Sequence, residues 1–189
     1  KSTSNSLTGS LVHSTANVDA TVEKYVTHSK WHFIGSPVES EVAGLFKLAG
    51  GHSNVYLKTH NEATNTWSDW IVSVGTPLVR GRGYEVWVGD AGFAQDEVFE
   101  FDGELNAGDQ ATGAGTPVFY DLEYTSGHGL NLICNPYPSA LRATVSAWTK
   151  SNIAPKAWTW SDTYGNYVFW GSGDDYGSGN FGTMTAGII

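Results

Sequence analysis

The 189-residue chain is poor in cysteine, methionine and positive charge, and these shortages exclude several classes of protein. Its one cysteine, Cys134, cannot form an internal disulfide framework or a multi-cysteine zinc site. Only 10 Lys and Arg residues stand against 19 Asp and Glu, giving a net charge of −9, so nucleic acid is not an expected partner. No apolar run approaches the roughly 18 residues of a membrane-spanning helix, so membrane insertion is not expected. Residues 1–9 lack the apolar core of a signal peptide, as expected of a mature product or a fragment.

Aromatic residues and glycine are abundant, with eight Trp, nine Tyr, eight Phe and 23 Gly. This composition is typical of strands joined by tight turns. Period-two alternation runs through 84–88 and through 97–102, where Phe99 and Phe101 share one face, whereas helical periodicity is limited to 38–48 and 140–148. The sequence therefore predicts an all-β fold. We expect an antiparallel β-sandwich of jelly-roll type with at most short helices.

An internal repeat relates the two halves of the chain. Residues 31–37 match 130–136 in apolar pattern, small residue and proline, at an offset of 99. A polar loop at 61–66 then separates two strand-like runs, and a loop at 161–166 does the same, so each half is predicted to contain a hairpin. Two copies that each bury one sheet face are expected to pack sheet on sheet.

The second copy of the repeat ends earlier than the first. After its hairpin, the first copy continues through a glycine-rich turn into an apolar strand at 78–88, whereas the equivalent place in the second holds Gly187, Ile188 and Ile189. This pattern predicts a vacant sheet edge that accepts a strand from another chain, or else a strand supplied by a longer parent protein. The chain is divided into three parts of one compact unit, namely a lead-in segment at 1–29, a first β half at 30–129 and a second β half at 130–189.

Motifs at three places carry a family resemblance. Residues 130–139 read Leu-Asn-Leu-Ile-Cys-Asn-Pro-Tyr-Pro-Ser, and Gly-Arg-Gly-Tyr at 81–84 leads into an apolar strand and the run at 101–109. These motifs resemble the "NLIGNPYPS" signature, and the stretch before it, of surface and secreted proteins of Gram-negative bacteria that use type IX secretion. The resemblance implies an extracellular, non-enzymatic module attached to adhesins or hydrolases. Cys134 stands where that family generally has Gly, so we expect a buried thiol there.

Residue patterns that support catalysis are scarce, so we expect no enzyme activity and no catalytic residues. The six His lack metal-ligand spacing, and no Gly-x-Ser-x-Gly motif is present. Carboxylates placed at a glycosidase-like separation remain open, because sequence alone does not fix their distance. Ten acidic and no basic residues lie between Glu85 and Glu123, a stretch that predicts a solvated acidic face or, alternatively, a Ca²⁺ site.

Binding is better supported than catalysis. Tryptophan rings stack on the apolar faces of sugars, although the same rings also suit a hydrophobic core. Asp174 and Asp175 lie in a glycine-rich loop that is either plainly solvated or a contact for Ca²⁺ or sugar. The candidate ligand-binding residues in the two hairpins are Trp67, Trp70, Trp158, Trp160 and Trp170.

Two functional hypotheses follow. The first is a non-catalytic, extracellular or cell-surface structural or adhesion module of a bacterial surface protein or appendage, for which strand complementation offers a route to self-assembly. Its partners are copies of itself or neighbouring domains of the parent protein. The alternative is a carbohydrate-binding module of a secreted hydrolase, with polysaccharide as partner. Neither hypothesis requires a cofactor, Ca²⁺ being the one candidate.

Overall fold

The chain folds into antiparallel strands with one short helix among the described residues. The computed structural model describes residues 11, 13, 15–48, 55–89, 95–109, 114–115, 118–139, 141–142, 156–161, 166–171 and 183–184. The elements are β1 Asp19–Val26, β2 Trp31–Ile34, α1 Gly44–Leu48, β3 Val55–Lys58, β4 His60–Asn61, β5 Thr66–Trp67, β6 Tyr84–Val88, β7 Glu97–Glu104, β8 Gly108–Asp109, β9 Ala114–Gly115, β10 Leu141–Arg142, β11 Lys156–Ser161, β12 Asn166–Gly171 and β13 Thr183–Met184. The predicted all-β class is confirmed. No helix among these residues is both long enough and apolar enough to cross a membrane.

Two sheets supply one hydrophobic core. β1 pairs with β7 along the full length of both strands, and β6 lies between β2 and β3 in a three-stranded sheet. Buried side chains of both sheets and of α1 belong to a single apolar cluster. Phe46 of α1 packs edge-on against Phe99 and Phe101 of β7, with ring centroids 4.9 and 5.9 Å apart. The prediction that Phe99 and Phe101 share one face is therefore confirmed, since both are buried while Glu100 between them is exposed.

The two stretches with helix-compatible spacing give one short helix among the described residues. The helix expected over 38–48 is confined to α1, because Val38 and Val42 form isolated β-bridges to other segments instead. The helix expected over 140–148 is wrong at its start, where β10 pairs antiparallel with β13. The rest of that stretch lies outside the described residues. In both places the apolar spacing was compatible with a helix, but the backbone pairs with distant segments instead.

Both predicted hairpins are present. In the first, β4 and β5 enclose a turn at 62–65, in which Asn65 has a φ of 51° and donates its N–H to the Glu62 carbonyl at 3.1 Å. Asparagine tolerates this left-handed conformation better than most residues. In the second, β11 and β12 pair along six residues each. Both turns are shorter than predicted by one residue at each end, because those end residues pair.

The matched turns of the internal repeat touch each other. A Cβ atom on Gly35 would lie 2.0 Å from Sγ of Cys134, which is the matching residue of the second copy. Asn106 donates through Nδ2 to the carbonyl of Ser36 at 3.0 Å and to that of Pro136 at 2.8 Å. Both carbonyls belong to the matched turns. The turns at 35–37 and 134–136, which the sequence comparison matched, therefore meet at one buried place, which we call the turn junction.

The expectation of a buried thiol at Cys134 is confirmed, since this residue is 5% exposed. Burial raises the pKa of the thiol to about 12. The backbone around it pairs with the glycine-rich turn before β6, through Cys134 N to the Gly81 carbonyl and Gly83 N to the Leu132 carbonyl, each at 2.9 Å. A disulfide between two copies through this residue would first require the junction to open.

Candidate functional site

The outward face of the β2–β6–β3 sheet is aromatic. The strand register places Trp31 opposite Trp87 and Trp87 opposite Tyr56, so three rings form a row across the sheet. The alternate residues of β6 point the other way, and Val86 and Val88 are fully buried in the core. Because side chains alternate along a strand, burial of one set fixes the other set on the outside.

A charged pair forms the next row of this face. Glu85 lies opposite both Phe33 and Lys58, and Lys58 Nζ is 3.1 Å from Glu85 Oε2. Both side chains are largely covered, at 16% and 10% exposure. Burial raises the pKa of Glu85, and the hydrogen bond and charge of Lys58 oppose that shift without cancelling it. Each ion needs the other, because an unpaired buried charge is costly.

A segment that follows the first hairpin brings two more tryptophans to this face. The N–H groups of Ser68 and Ile71 donate to the carbonyls of Thr59 and Leu57, each at 2.8 Å, so residues 68–71 run beside β3. Ile71 packs against the hydrophobic core, which leaves its neighbour Trp70 facing outward. Trp67, the last residue of β5, precedes this segment.

Three indole rings surround the ammonium group of Lys58. Nζ lies 4.4 Å from the ring centroid of Trp31, 5.1 Å from that of Trp67 and 5.2 Å from that of Trp70. Cation–π attraction of this kind is worth about 0.5–2 kcal/mol for each contact, with the larger values where water is excluded. Trp31, Trp67 and Trp70 nevertheless remain 41%, 38% and 46% exposed. We call these three residues and Lys58 the aromatic surface.

Neighbouring rings hold the aromatic surface in place. The rings of Trp31 and Trp70 are nearly parallel, with centroids 5.9 Å apart and planes 9° apart. The Trp67 ring stacks on the Phe33 ring with centroids 6.3 Å apart, and the Trp70 ring is tilted against the Tyr56 ring with centroids 5.2 Å apart. Each tryptophan of the aromatic surface therefore has at least one ring contact and one contact with the Lys58 ammonium. Such a surface loses little conformational entropy when a ligand binds.

The predicted ligand-binding tryptophans fall into two groups. Trp67 and Trp70 belong to the aromatic surface, whereas Trp158 lies on β11 and is 44% exposed. Trp160 and Trp170 lie in β11 and β12, but their side chains are outside the described part of the chain. The other predicted site residues also lie outside it, namely Asp174, Asp175, Gly187, Ile188 and Ile189.

Sequence reasoning did not identify Trp31 or Lys58 as site residues. Trp31 entered only as a position of the internal repeat, and Lys58 was not among the candidate binding residues. One signal for Lys58 was available, because Tyr56 and Lys58 alternate with the apolar residues Val55 and Leu57 and so share the outward face of β3. Its association with Trp31 depends on the order of strands in the sheet, which periodicity does not encode.

The acidic stretch is only partly a solvated face. Glu85 and Glu97 are buried, at 8% and 9% exposure, so that prediction is wrong for these two residues. Glu100 and Asp102 are exposed, in agreement with it. Within the described ranges no three or more His, Cys, Asp or Glu residues come together as a metal-binding group.

A second polar cluster lies where β7 begins. Asp96 accepts a hydrogen bond from the Tyr25 hydroxyl, and its Oδ1 lies 2.9 Å from the backbone nitrogen of His28 and 2.6 Å from Nδ1 of the same residue. The Tyr25 hydroxyl, followed by the two His28 groups, lowers the pKa of Asp96 to about 2. These hydrogen bonds connect the end of β1 and the turn after it to the residue that precedes β7.

Comparison with known proteins adds no relative. No protein family, no curated protein and no solved structure matches the chain. Function is therefore inferred from the chemistry of the aromatic surface itself.

Proposed function

We propose that this chain is a non-catalytic extracellular adhesion module that binds neutral polysaccharide through the aromatic surface. The observation that carries the proposal is the arrangement of three exposed tryptophans around Lys58 on one sheet face. The extracellular location follows from the resemblance to type IX secretion cargo. Attachment to a secreted hydrolase is compatible with the same binding chemistry.

Three exposed tryptophans on one sheet face indicate a binding site, because exposing apolar rings to water is unfavourable. Burying apolar area contributes about 25 cal/mol per Å², so a face that keeps three indoles exposed forgoes that stabilisation. Contiguous exposed apolar patches on soluble proteins commonly mark interaction sites. The rings of Trp31 and Trp70 stack on each other, which holds both in place while each stays more than a third exposed, at 41% and 46%.

The charges favour a neutral ligand. Lys58 is paired with Glu85, so the centre of the surface carries no uncompensated charge. The chain as a whole has a net charge of −9, which repels polyanions.

A depletion assay tests the proposal. The protein is mixed with insoluble neutral glycans (cellulose, mannan and chitin) and with alginate beads as an anionic comparison, and the unbound fraction is measured. We expect retention on at least one neutral glycan and about tenfold weaker binding for Trp70→Ala, equivalent to about 1.4 kcal/mol. Phe119→Ala is the matched control, because Phe119 is 72% exposed and is not part of the aromatic surface. A wild-type protein retained by no neutral glycan, or a Trp70→Ala variant that binds like wild type, would refute the proposal.

Assembly by strand addition is a second candidate, and one feature favours it. Residues 118–125 form no ladder with another described strand, yet Phe119, Leu122 and Tyr124 are 72%, 39% and 78% exposed. Several backbone N–H groups of this segment donate to side chains rather than to a neighbouring strand. A segment outside any sheet that carries exposed apolar side chains is a setting for β-augmentation. Light scattering over a range of protein concentrations distinguishes the candidates. Assembly predicts a mass above 20.3 kDa that falls in Tyr124→Lys, whereas a constant monomeric mass contradicts it.

A further inference from the structure

Lys58 contacts all three tryptophans of the aromatic surface. The rings of Trp31 and Trp70 stack on each other. The ring of Trp67 stacks on that of Phe33, which lies on the same sheet face. The Lys58 ammonium lies within 5.2 Å of each of the three indole centroids. This one group therefore connects Trp67 with the stacked pair.

Glu85 fixes the place of that ammonium group. Glu85 belongs to β6, the middle strand of the three-stranded sheet, and its Oε2 is 3.1 Å from Nζ of Lys58. A lysine on a solvated face turns its flexible stem so that the ammonium group stays in water. Here the Lys58 side chain is only 16% exposed. The carboxylate of Glu85 therefore holds the positive charge against the sheet, beneath the tryptophans' reach into solvent.

The tryptophans after the first hairpin gain most from a fixed cation. Trp70 lies outside the described strands, and Trp67 ends the two-residue strand β5. Both side chains are more than a third exposed, so packing covers only part of each ring. A cation is attracted to the face of an aromatic ring, and it favours the side-chain rotamers that turn the ring face towards it. The ammonium of Lys58 lies over both rings, as this attraction requires.

We propose that Lys58 is the positioning residue of the aromatic surface, so that tight binding of neutral polysaccharide requires a cation at this place although the tryptophans make the contact. The inference rests on the function proposed above. A surface that is held in one geometry before the ligand arrives binds more tightly, because fewer side chains have to be ordered on binding. Glu85 serves the same role indirectly, since it holds the cation.

Three variants separate positioning from stability in the depletion assay, on a neutral glycan that wild type retains. Lys58→Met keeps the length of the side chain and removes its charge, and we expect about tenfold weaker binding. The double variant Lys58→Met/Glu85→Gln leaves no buried charge unpaired, so its stability should recover in part, whereas its binding should remain about tenfold weaker. Lys58→Arg keeps a cation that stacks on aromatic rings and should bind within about threefold of wild type.

The outcomes distinguish this inference from the proposed function. Lys30→Met is the matched control, since Lys30 is exposed and its loss changes the net charge by the same amount. It should bind like wild type, and binding as weak as that of Lys58→Met would refute the inference. A double variant that binds like wild type, or a Lys58→Arg variant that binds as weakly as Lys58→Met, would refute the positioning role and leave the proposed function standing. If wild type is retained by no neutral glycan, both fail.

Nuclear magnetic resonance of the wild-type protein without ligand tests the geometry itself. Aromatic ring currents shift protons that lie over a ring face upfield, so the ε-methylene protons of Lys58 should resonate upfield of those of Lys30. The indole N–H signals of Trp67 and Trp70 should shift in Lys58→Met and stay in place in Lys30→Met. A Lys58 methylene signal at the ordinary lysine position, or unchanged indole signals in Lys58→Met, would overturn the inference.

Discussion

The two main sheets share one core, yet their outward faces differ in chemistry. On the β1–β7 sheet the outward face is mostly polar, with Glu23 opposite Glu100 and the Thr21 hydroxyl bonded to Asp102 at 2.8 Å. On the β2–β6–β3 sheet the equivalent face carries tryptophans. An antiparallel sheet needs only polar residues on its solvent side. The polar sheet therefore shows that this fold does not require an aromatic outer face, and the tryptophans call for a separate explanation.

The largest expected effect is on the hydrophobic core that the two sheets share. Phe46→Ala removes a buried ring that packs on β7 from the same core that β6 fills, and should lower the free energy of unfolding by about 3–5 kcal/mol. Urea unfolding followed by fluorescence and by circular dichroism should give one coincident transition. Phe119→Ala, at an exposed position, should change stability by about 0.5 kcal/mol or less. Two separate transitions would contradict a shared core.

The next effect belongs to the aromatic face alone. Lys58→Met leaves the largely buried Glu85 without its counter-ion, and should cost about 1–3 kcal/mol of folding free energy. The double variant Lys58→Met/Glu85→Gln should recover part of the loss, because no buried charge is then left unpaired. Chemical denaturation measures all three proteins. Equal stability of Lys58→Met and wild type would show that the pair contributes nothing.

A smaller effect of the opposite sign is expected on the polar face. Glu100→Lys replaces a like-charge cross-strand pair with an attractive one and should raise stability by about 0.2–1 kcal/mol. The gain should fall away in 1 M salt, where the screening length is about 3 Å. A gain that persists unchanged at high salt would point to a cause other than charge.

The smallest effect appears only in acid. Asp96 has a pKa lowered from 3.8 to about 2, so the stability it contributes is complete above the ordinary value and is lost as the pH falls through about 4 towards 2. Asp96→Asn should remove this part of the pH dependence. Thermal unfolding at pH 6, 4 and 2.5 measures it, with the exposed Asp69→Asn as control. If the melting temperatures of wild type and Asp96→Asn change with pH in parallel, this prediction is wrong.

Locally encoded features were predicted well from the sequence. The strand Tyr84–Val88 and both hairpins follow from alternation and turn chemistry, which depend on residues a few positions apart. The burial of Cys134 followed from the small residue required at that place. Pairings between distant segments were not predicted. Glu85 was predicted to be solvated because nothing near it in sequence indicates that it is buried and paired with Lys58.

The turn junction has a practical consequence for spectroscopy. Because the chain's sole thiol is enclosed against Gly35 and stays protonated at neutral pH, maleimide reagents should leave the folded protein unmodified. A cysteine introduced on either hairpin tip would then be the single labelling position, with no need to replace the native one. Paired spin labels at the two tips would report the span between them directly.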